Sequence, residues 1–364
     1  MQIVNYHLDS QQFEIFNSQF SICNVILTAC VAAGVFLAQP RPVLPQQVSS
    51  TKIYRGSVGN SHIQMRLNFS GSNVTGTYAY DLIGEDLKLT GHVDAQGRLA
   101  LSEVDTKGKP TGKFVCKRSL DDPTDPECSW SRPDGTREAL ATLAEQHIAF
   151  TNGLQITPKT ITNRKTAISV SYPQITTSGT LTSAAQNFNR RMLGLVQKAI
   201  ADFQPIDGRG SFDTNYNIAQ ATNDLVSIEM VEFSDGGGAH PNSGFWTLTY
   251  DLTVNKELRF EDLFQPNTEY NDAIAKYVVA DIDKRADALE ADEARRDGRK
   301  PNSRDHSIVS ADQLSELSGW TITSNGLNVY FDLPHVIAFF DKTFVPYGVV
   351  KDHLKPNWPA ARFQ

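Results

Sequence analysis

Between residues 51 and 143 the chain reverses about every 10–12 residues, and apolar and polar side chains alternate between the reversals. In HIQMRLNF, Ile63, Met65, Leu67 and Phe69 alternate with polar neighbours, and VTGTYAY sets Val74, Gly76, Tyr78 and Tyr80 on one face. LKLTGHV, LALSEV and KFVC follow, and GSN, DLIGED, DAQGR and TKGKPTG separate the runs. RPDGTR adds a reverse turn after Trp130. A period of two belongs to a half-buried strand, and Gly, Asn, Asp and Pro supply the backbone angles of turns. The spacing therefore predicts an antiparallel meander closing into a small barrel or sandwich.

On such strands Tyr54, Tyr78, Tyr80 and Trp130 are expected in the core rather than around a ligand-binding mouth. His62 and His92 have no second ligand at metal spacing and are expected to face solvent. Cys116 and Cys128 flank the Pro/Asp-rich loop of FVCKRSLDDPTDPECSW and are expected to form a disulfide, contributing about 3 kcal/mol by closing the loop. The neighbourhood has no His to complete a metal site.

From 145 to 364 strands and helices mix. TAISVSYPQI reads as a strand ended by Pro173. Ser183 is placed to cap a helix whose stripe is Phe188, Met192, Leu195, Ala199 and Phe203. LVSIEMVEF turns Val226, Ile228 and Met230 inward, and FWTLTYDL places Trp246, Leu248, Tyr250 and Leu252 on one face. ELRFEDLF leads to a long helix with Tyr270, Ile274, Tyr277, Val278 and Ile282 as its buried stripe. The charged continuation DKRADALEADEARRDGRKPNSRDH is expected to be a solvated helix end and flexible loop. Asn325-Gly326 predicts a two-residue hairpin turn between WTIT and LNVYF. The fold class expected is α+β: a small antiparallel β meander, then a domain with helices packed on a mostly antiparallel sheet.

Ahead of these segments, FSICNVILTACVAAGVFLA, residues 20–38, holds no charge over 19 residues, close to the roughly 20 that span a bilayer. It predicts an export signal or a membrane anchor, placing the folded part in the periplasm or outside the cell, with membrane contact through this segment alone. Residues 1–19 carry Asp9 and Glu14 but no Lys or Arg, where an export signal needs positive charge, so the true start is expected further downstream. Leu27–Cys30 resembles a lipoprotein cleavage box, yet the residues after it stay apolar. QPRPVLPQQVSS, 39–50, reads as a linker. The layout is thus an N-terminal segment 1–38, a linker 39–50, a small β domain 51–143 and an α+β domain 145–364.

The formal net charge of −7 excludes general nucleic-acid binding, which needs a basic face. No cofactor and no metal is implied: the chain has no H-E-x-x-H, no nucleophile elbow and no Cys-x-x-Cys.

The densest cluster of glycine, histidine and acid is SDGGGAHPNSG, residues 234–244, between two alternating runs. A phosphate-cradling glycine loop would run from a strand into a helix, so this one is a strand connection. Asp235, Gly237, Gly238, His240, Pro241 and Asn242 are its candidate binding residues. Two other readings stay open: a cell-wall or ester hydrolase with His240 and Asp235 as the acid–base pair, and a purely structural envelope protein. His306, His335 and His353 stand in unrelated contexts.

The order YPQI, QNFNRRM, GGGAHPNSGFWTLTYDL, KELRFEDLF and long helix resembles, over roughly 160–350, the extracytoplasmic domain shared by RsiV-type anti-sigma factors, which sense lysozyme, and PdaC-type peptidoglycan deacetylases. The signature is Gly237 to Asn242, then Asp251-Leu252 and Glu257 to Phe264. The resemblance implies a non-catalytic α+β module facing outward, with lysozyme or peptidoglycan as partner. No deacetylase or sigma-factor-binding segment is evident, so recognition is what it carries over. The 51–143 pattern resembles a small β domain of exported bacterial proteins.

Overall fold

In the computed structural model, which describes residues 49–120, 126–206, 210–238, 240–314, 316–358 and 361, the meander closes on itself. Its strands are β1 (Ser49–Val58), β2 (Ser61–Ser70), β3 (Asn73–Tyr80), β4 (Leu87–Val93), β5 (Arg98–Val104), β6 (Pro110–Ser119), β7 (Cys128–Ser131) and β8 (Ala139–Gln146). Each pairs antiparallel with the next, and β8 returns to β1, so the barrel of the two alternatives is the one formed. β1 begins at Ser49, inside the stretch read as linker. The apolar run 20–38, with Cys30, lies outside the described residues.

Eight strands enclose a space that side chains just fill. Tyr54, Ile63, Met65, Leu67, Tyr78, Leu101 and Phe114 fill it here, so Tyr54 and Tyr78 are core residues, with Tyr80 and Trp130 packed partly buried against them. Glu103 follows Leu99 and Leu101 in phase and is only 2% exposed. Its carboxylate accepts from the Tyr78 hydroxyl at 2.6 Å and from the Trp130 indole at 2.7 Å. Cys116 and Cys128, register partners on β6 and β7, form the expected disulfide.

The remaining elements make the chain α+β. β9 (Ile148–Ala149), β10 (Gln155–Asn163), β11 (Ile168–Thr176), α1 (Ser183–Asp202), β12 (Ser211–Thr222), β13 (Leu225–Asp235), β14 (Asn242–Asp251) and β15 (Lys256–Glu257) build a sheet ordered β10-β11-β12-β13-β14-β15, with β9 beside β12. It is antiparallel except where β12 meets β11 and β9. One face is covered by α1, whose Phe188, Met192 and Val196 pack with Val226, Ile228, Met230 and Leu248. The other face receives α2 (Tyr270–Arg296), β16 (Gly319–Ile322), β17 (Gly326–Tyr330), β18 (Lys342–Pro346) and α3 (Tyr347–Val350). Hydroxyls of the sheet hold β16: Ile322 donates its N–H to Ser227 Oγ at 2.9 Å, and Trp320 to Thr247 Oγ1 at 3.1 Å.

Local chemistry revises several expectations. Pro173 lies inside β11, opposite Pro158 and beyond the β12 ladder, where no N–H is needed. Helix α1 is capped by Thr182, whose hydroxyl accepts from Ala185 N at 3.2 Å, one residue before Ser183. The β16–β17 turn residues are Ser324 and Asn325, since Thr323 N donates to Gly326 O at 2.9 Å. Gly326 instead opens β17, where a Cβ would sit 2.4 Å from the Val345 carbonyl oxygen. The charged stretch after α2's first turns is no free loop: the helix continues to Arg296, burying Ala286 and Ala294. Arg299 then returns to Glu290, and Arg304 to Asp283 and Asp287, because the helix presents these carboxylates along one side.

Barrel and sheet meet around a buried cation. Arg55, 1% exposed, binds Asp81 through two nitrogens at 2.9 and 2.7 Å and donates to Asn215 Oδ1 at 2.7 Å. It lies 4.0 Å over the Tyr216 ring, while Ser171 donates to Asp81. At the same junction His62 Nε2 is 2.7 Å from Asp213 Oδ1. His62 therefore faces the sheet and not solvent, because alternation sets the side of a strand but not what docks there. His92 is exposed.

Candidate functional site

The glycine-rich loop is built as its flanking strands require. The pair Ser234↔Asn242 closes β13 against β14, and the connection runs from Gly236 to Pro241. Asp235 Oδ1 accepts from Gly237 N at 2.8 Å, a local turn that needs the left-handed φ of 80° found at Gly237. His240 donates from Nδ1 to its neighbour's carbonyl, Pro241 O, at 3.0 Å. Asp235 and His240 thus each bond to the loop's own backbone, and no hydrogen bond between the two side chains is formed among the described residues. Gly238, His240, Pro241 and Asn242 are exposed; Ala239 lies outside the described residues.

The structure also joins two histidines that sequence separates. The His240 ring lies 5.5 Å, centroid to centroid, from His335. His335 opens a short 3-10 helix, His335–Phe340, on which Val336 and Phe339 are 80% and 64% exposed. Among the described residues no three His, Cys, Asp or Glu side chains are grouped as a metal site.

Beneath the loop lies a cleft of about 600 Å³, within the roughly 300–1,000 Å³ usual for small-ligand sites. Gly236 and Asn242 form its lip, so two loop positions connect to it. Leu195, Ala199 and Phe203 form an apolar wall, and Trp246 lines the opposite side. The Trp246 Nε1 hydrogen is buried and finds no acceptor among the described residues, an uncommon state for a buried donor.

Strand phase explains the chemistry of the cleft. Val226, Ile228 and Met230 face α1, and two residues further the same row reaches Glu232 and Ser234. On β14 the row Leu248, Trp246, Gly244, Asn242 lies alongside, with Trp246 opposite Met230 and Gly244 opposite Glu232. A Cβ added at Gly244 would meet nothing within 4 Å. Glu232 therefore has open space across the strand where a side chain would otherwise stand.

The other charges of the cleft are matched. Arg191 binds Glu257 through two nitrogens at 2.5 and 3.1 Å, and Lys198 pairs with Asp202. Glu232 has no hydrogen bond or ion pair of its own among the described residues. Its carboxyl is pushed above the ordinary range, first by burial and second by Asp202. Sequence reasoning missed it, though a signal was present: in LVSIEMVEF, Glu232 continues the inward phase of Val226, Ile228 and Met230. A carboxylate at an inward position marks either a satisfied core group or a site.

Known proteins resemble parts of this chain. The family described as "Protein of unknown function (DUF3298)" matches residues 261–341, which hold all of α2, then β16, β17 and the helix bearing His335. The peptidoglycan-N-acetylmuramic acid deacetylase PdaC of Bacillus subtilis (strain 168) is 22% identical over 194 residues, 52% of this chain and 39% of that protein. The chain therefore spans about two-fifths of the length of this relative. Two solved structures of DUF3298 family proteins are also similar. That from Pseudomonas aeruginosa PAO1 has a TM-score of 0.36 at 16% identity, covering 57% of this chain and 96% of its own. That from Bacteroides fragilis NCTC 9343 has a TM-score of 0.34 at 11% identity, covering 58% and 96%. The PdaC part of the resemblance is met by this similarity, and the family segment of unknown function, residues 261–341, begins after the Gly237–Asn242 loop.

Proposed function

We propose that this chain is an exported, non-catalytic recognition protein of the bacterial cell envelope, and that the cleft under the β13–β14 loop binds a cell-wall component. The observation that carries the reading is the cleft itself: an open, Trp-lined space with a carboxyl unpaired among the described residues, placed against the loop that resembles the PdaC-type signature. The similarity to a protein named as a peptidoglycan deacetylase supports a wall glycan as the target. The Cys116–Cys128 disulfide supports an oxidising compartment, since such bonds are rare in the cytosol. In this reading residues 20–38 supply export or anchoring, residues 51–143 form one module and residues 145–364 the other.

Recognition without turnover is supported by the geometry of the loop. A general base must be oriented by a partner and reach its substrate proton. His240 and Asp235 instead bond to backbone groups of their own loop and form no pair with each other among the described residues. Titration calorimetry of the full chain with soluble peptidoglycan fragments is the test, with a lysozyme as a parallel arm for the RsiV-type reading. Saturable binding of the fragments, recovered unchanged, is the expected result. Fragments that come back cleaved or deacetylated by the intact chain, but not by His240→Ala, would replace recognition by the hydrolase reading. Binding of lysozyme with silence from the fragments would move the partner from glycan to protein.

A further inference from the structure

We infer that the cleft selects a free amine, and that its ligand is an amino sugar whose ammonium group pairs with Glu232 while its ring lies against Trp246. The inference rests on the wall-recognition reading and adds the chemical class of the ligand.

Three observations lead to it. The first is charge: the cleft is lined by two cations and three carboxylates, Arg191 and Lys198 against Asp202, Glu232 and Glu257. Two pairs form, and Glu232 is the remaining charge. A neutral acetamido group gives such a carboxylate one weak donor, whereas an ammonium supplies three N–H groups and the opposite charge. An anionic ligand would place its charge against Glu232 and is disfavoured there.

The second is room. Gly244 stands across from Glu232, its Cβ direction is empty, and its φ is not in the left-handed region. A larger residue is thus sterically permitted on the backbone, and the space it would take is the space beside the carboxylate. The third is surface: Trp246, Phe203 and Leu195 offer apolar area within the same cleft. The C–H face of a pyranose ring packs on an indole in the manner of other apolar rings, while its substituents reach the rim. Burial keeps Glu232 poorly hydrated, so a cationic partner returns what solvation the fold removed.

The test compares β-1,4-linked tetraglucosamine with its fully N-acetylated counterpart by calorimetry on the full chain at mildly acidic pH. Tetraglucosamine is expected to bind at least about tenfold more tightly, the worth of one charge-assisted hydrogen-bonded contact. E232Q is expected to erase that preference, and G244F, which fills the space beside Glu232, to abolish binding of both. Should G244F fail to fold, E232Q carries the test, being of equal size and needing no rearrangement. Equal affinity for the two tetramers, or unchanged preference in E232Q, overturns the inference. A lysine-containing peptide that binds where tetraglucosamine does not also overturns it, by moving the amine from sugar to peptide. These failures differ from failure of the wider reading. If peptidoglycan fragments bind and G244F blocks them while E232Q does not, the cleft remains the wall site and only the amine is wrong. If fragments bind regardless of G244F, the cleft is wrong. If nothing binds, both fall.

Discussion

The inside of the barrel and the cleft beneath the loop each hold a glutamate where strand alternation calls for an apolar residue. Glu103 follows Leu101 in β5, and Glu232 follows Met230 in β13. In the barrel the charge is answered on the spot: Tyr78 and Trp130 donate to it, and Tyr78 is driven well above its ordinary pKa by burial and by that bond. A Cβ on Gly112 would stand 2.3 Å from the Trp130 indole nitrogen and 2.6 Å from Glu103 Oε2, so nothing else fits there. In the cleft Glu232 meets no donor among the described residues, and the glycine across from it faces open space. The same sequence feature is a closed polar core in one place and an open site in the other. What separates them is whether the fold brings donors to the carboxylate.

Breaking a buried ion pair is expected to have the largest effect. Arg55→Met leaves Asp81 buried at the barrel–sheet junction without its cation, and the protein is expected to lose about 3–5 kcal/mol in urea unfolding. A change under 1 kcal/mol would show that solvent reaches the junction and that its charges are not structural. Glu103→Leu comes next: it strands the Tyr78 hydroxyl and the Trp130 indole, for an expected loss of about 2–3 kcal/mol. An unaltered midpoint would mean that packing alone satisfies the barrel. Reducing the Cys116–Cys128 bond is expected to cost about 2–3 kcal/mol, read from the melting midpoint with and without reductant.

The smallest change has the opposite sign and sharpens the comparison most. Glu232 has a raised pKa in the folded protein, so the fold holds that proton more tightly than the unfolded chain does. Its contribution therefore favours folding below the unfolded pKa and is lost as pH rises through the higher folded one. Once ionised, the carboxylate is a net cost, so Glu232→Gln is expected to raise the unfolding midpoint slightly above the folded pKa and to change it little in acid. A loss there would assign Glu232 the structural part that Glu103 plays. A gain fits a position kept for binding at some expense of stability.

Much of the fold was legible because period-two alternation is a local property. Ile63, Met65 and Leu67 declare a buried face, and turn residues between successive strands declare a meander, whatever the rest of the chain does. The disulfide was legible for the same reason, since Cys116 and Cys128 lie on adjacent strands of one hairpin. The α1 stripe and the inward rows of β13 and β14 were readable in period and phase. Pro173 was misread because its tolerance depends on a neighbouring strand, and Pro158 supplies it from across the ladder.

The site was legible as a loop and not as a cleft. By itself the sequence determined that Gly237 enables a turn between two strands and that Glu232 and Trp246 point the same way as their apolar neighbours. Only the tertiary structure decided that Gly244 faces Glu232, that His335 comes to His240, and that His62 is covered by Asp213. The physical reason is distance along the chain. Side-chain direction follows from backbone geometry within a few residues, whereas which donors surround a buried charge depends on the register and docking of elements that hydrogen bonds and packing align only after the chain has closed.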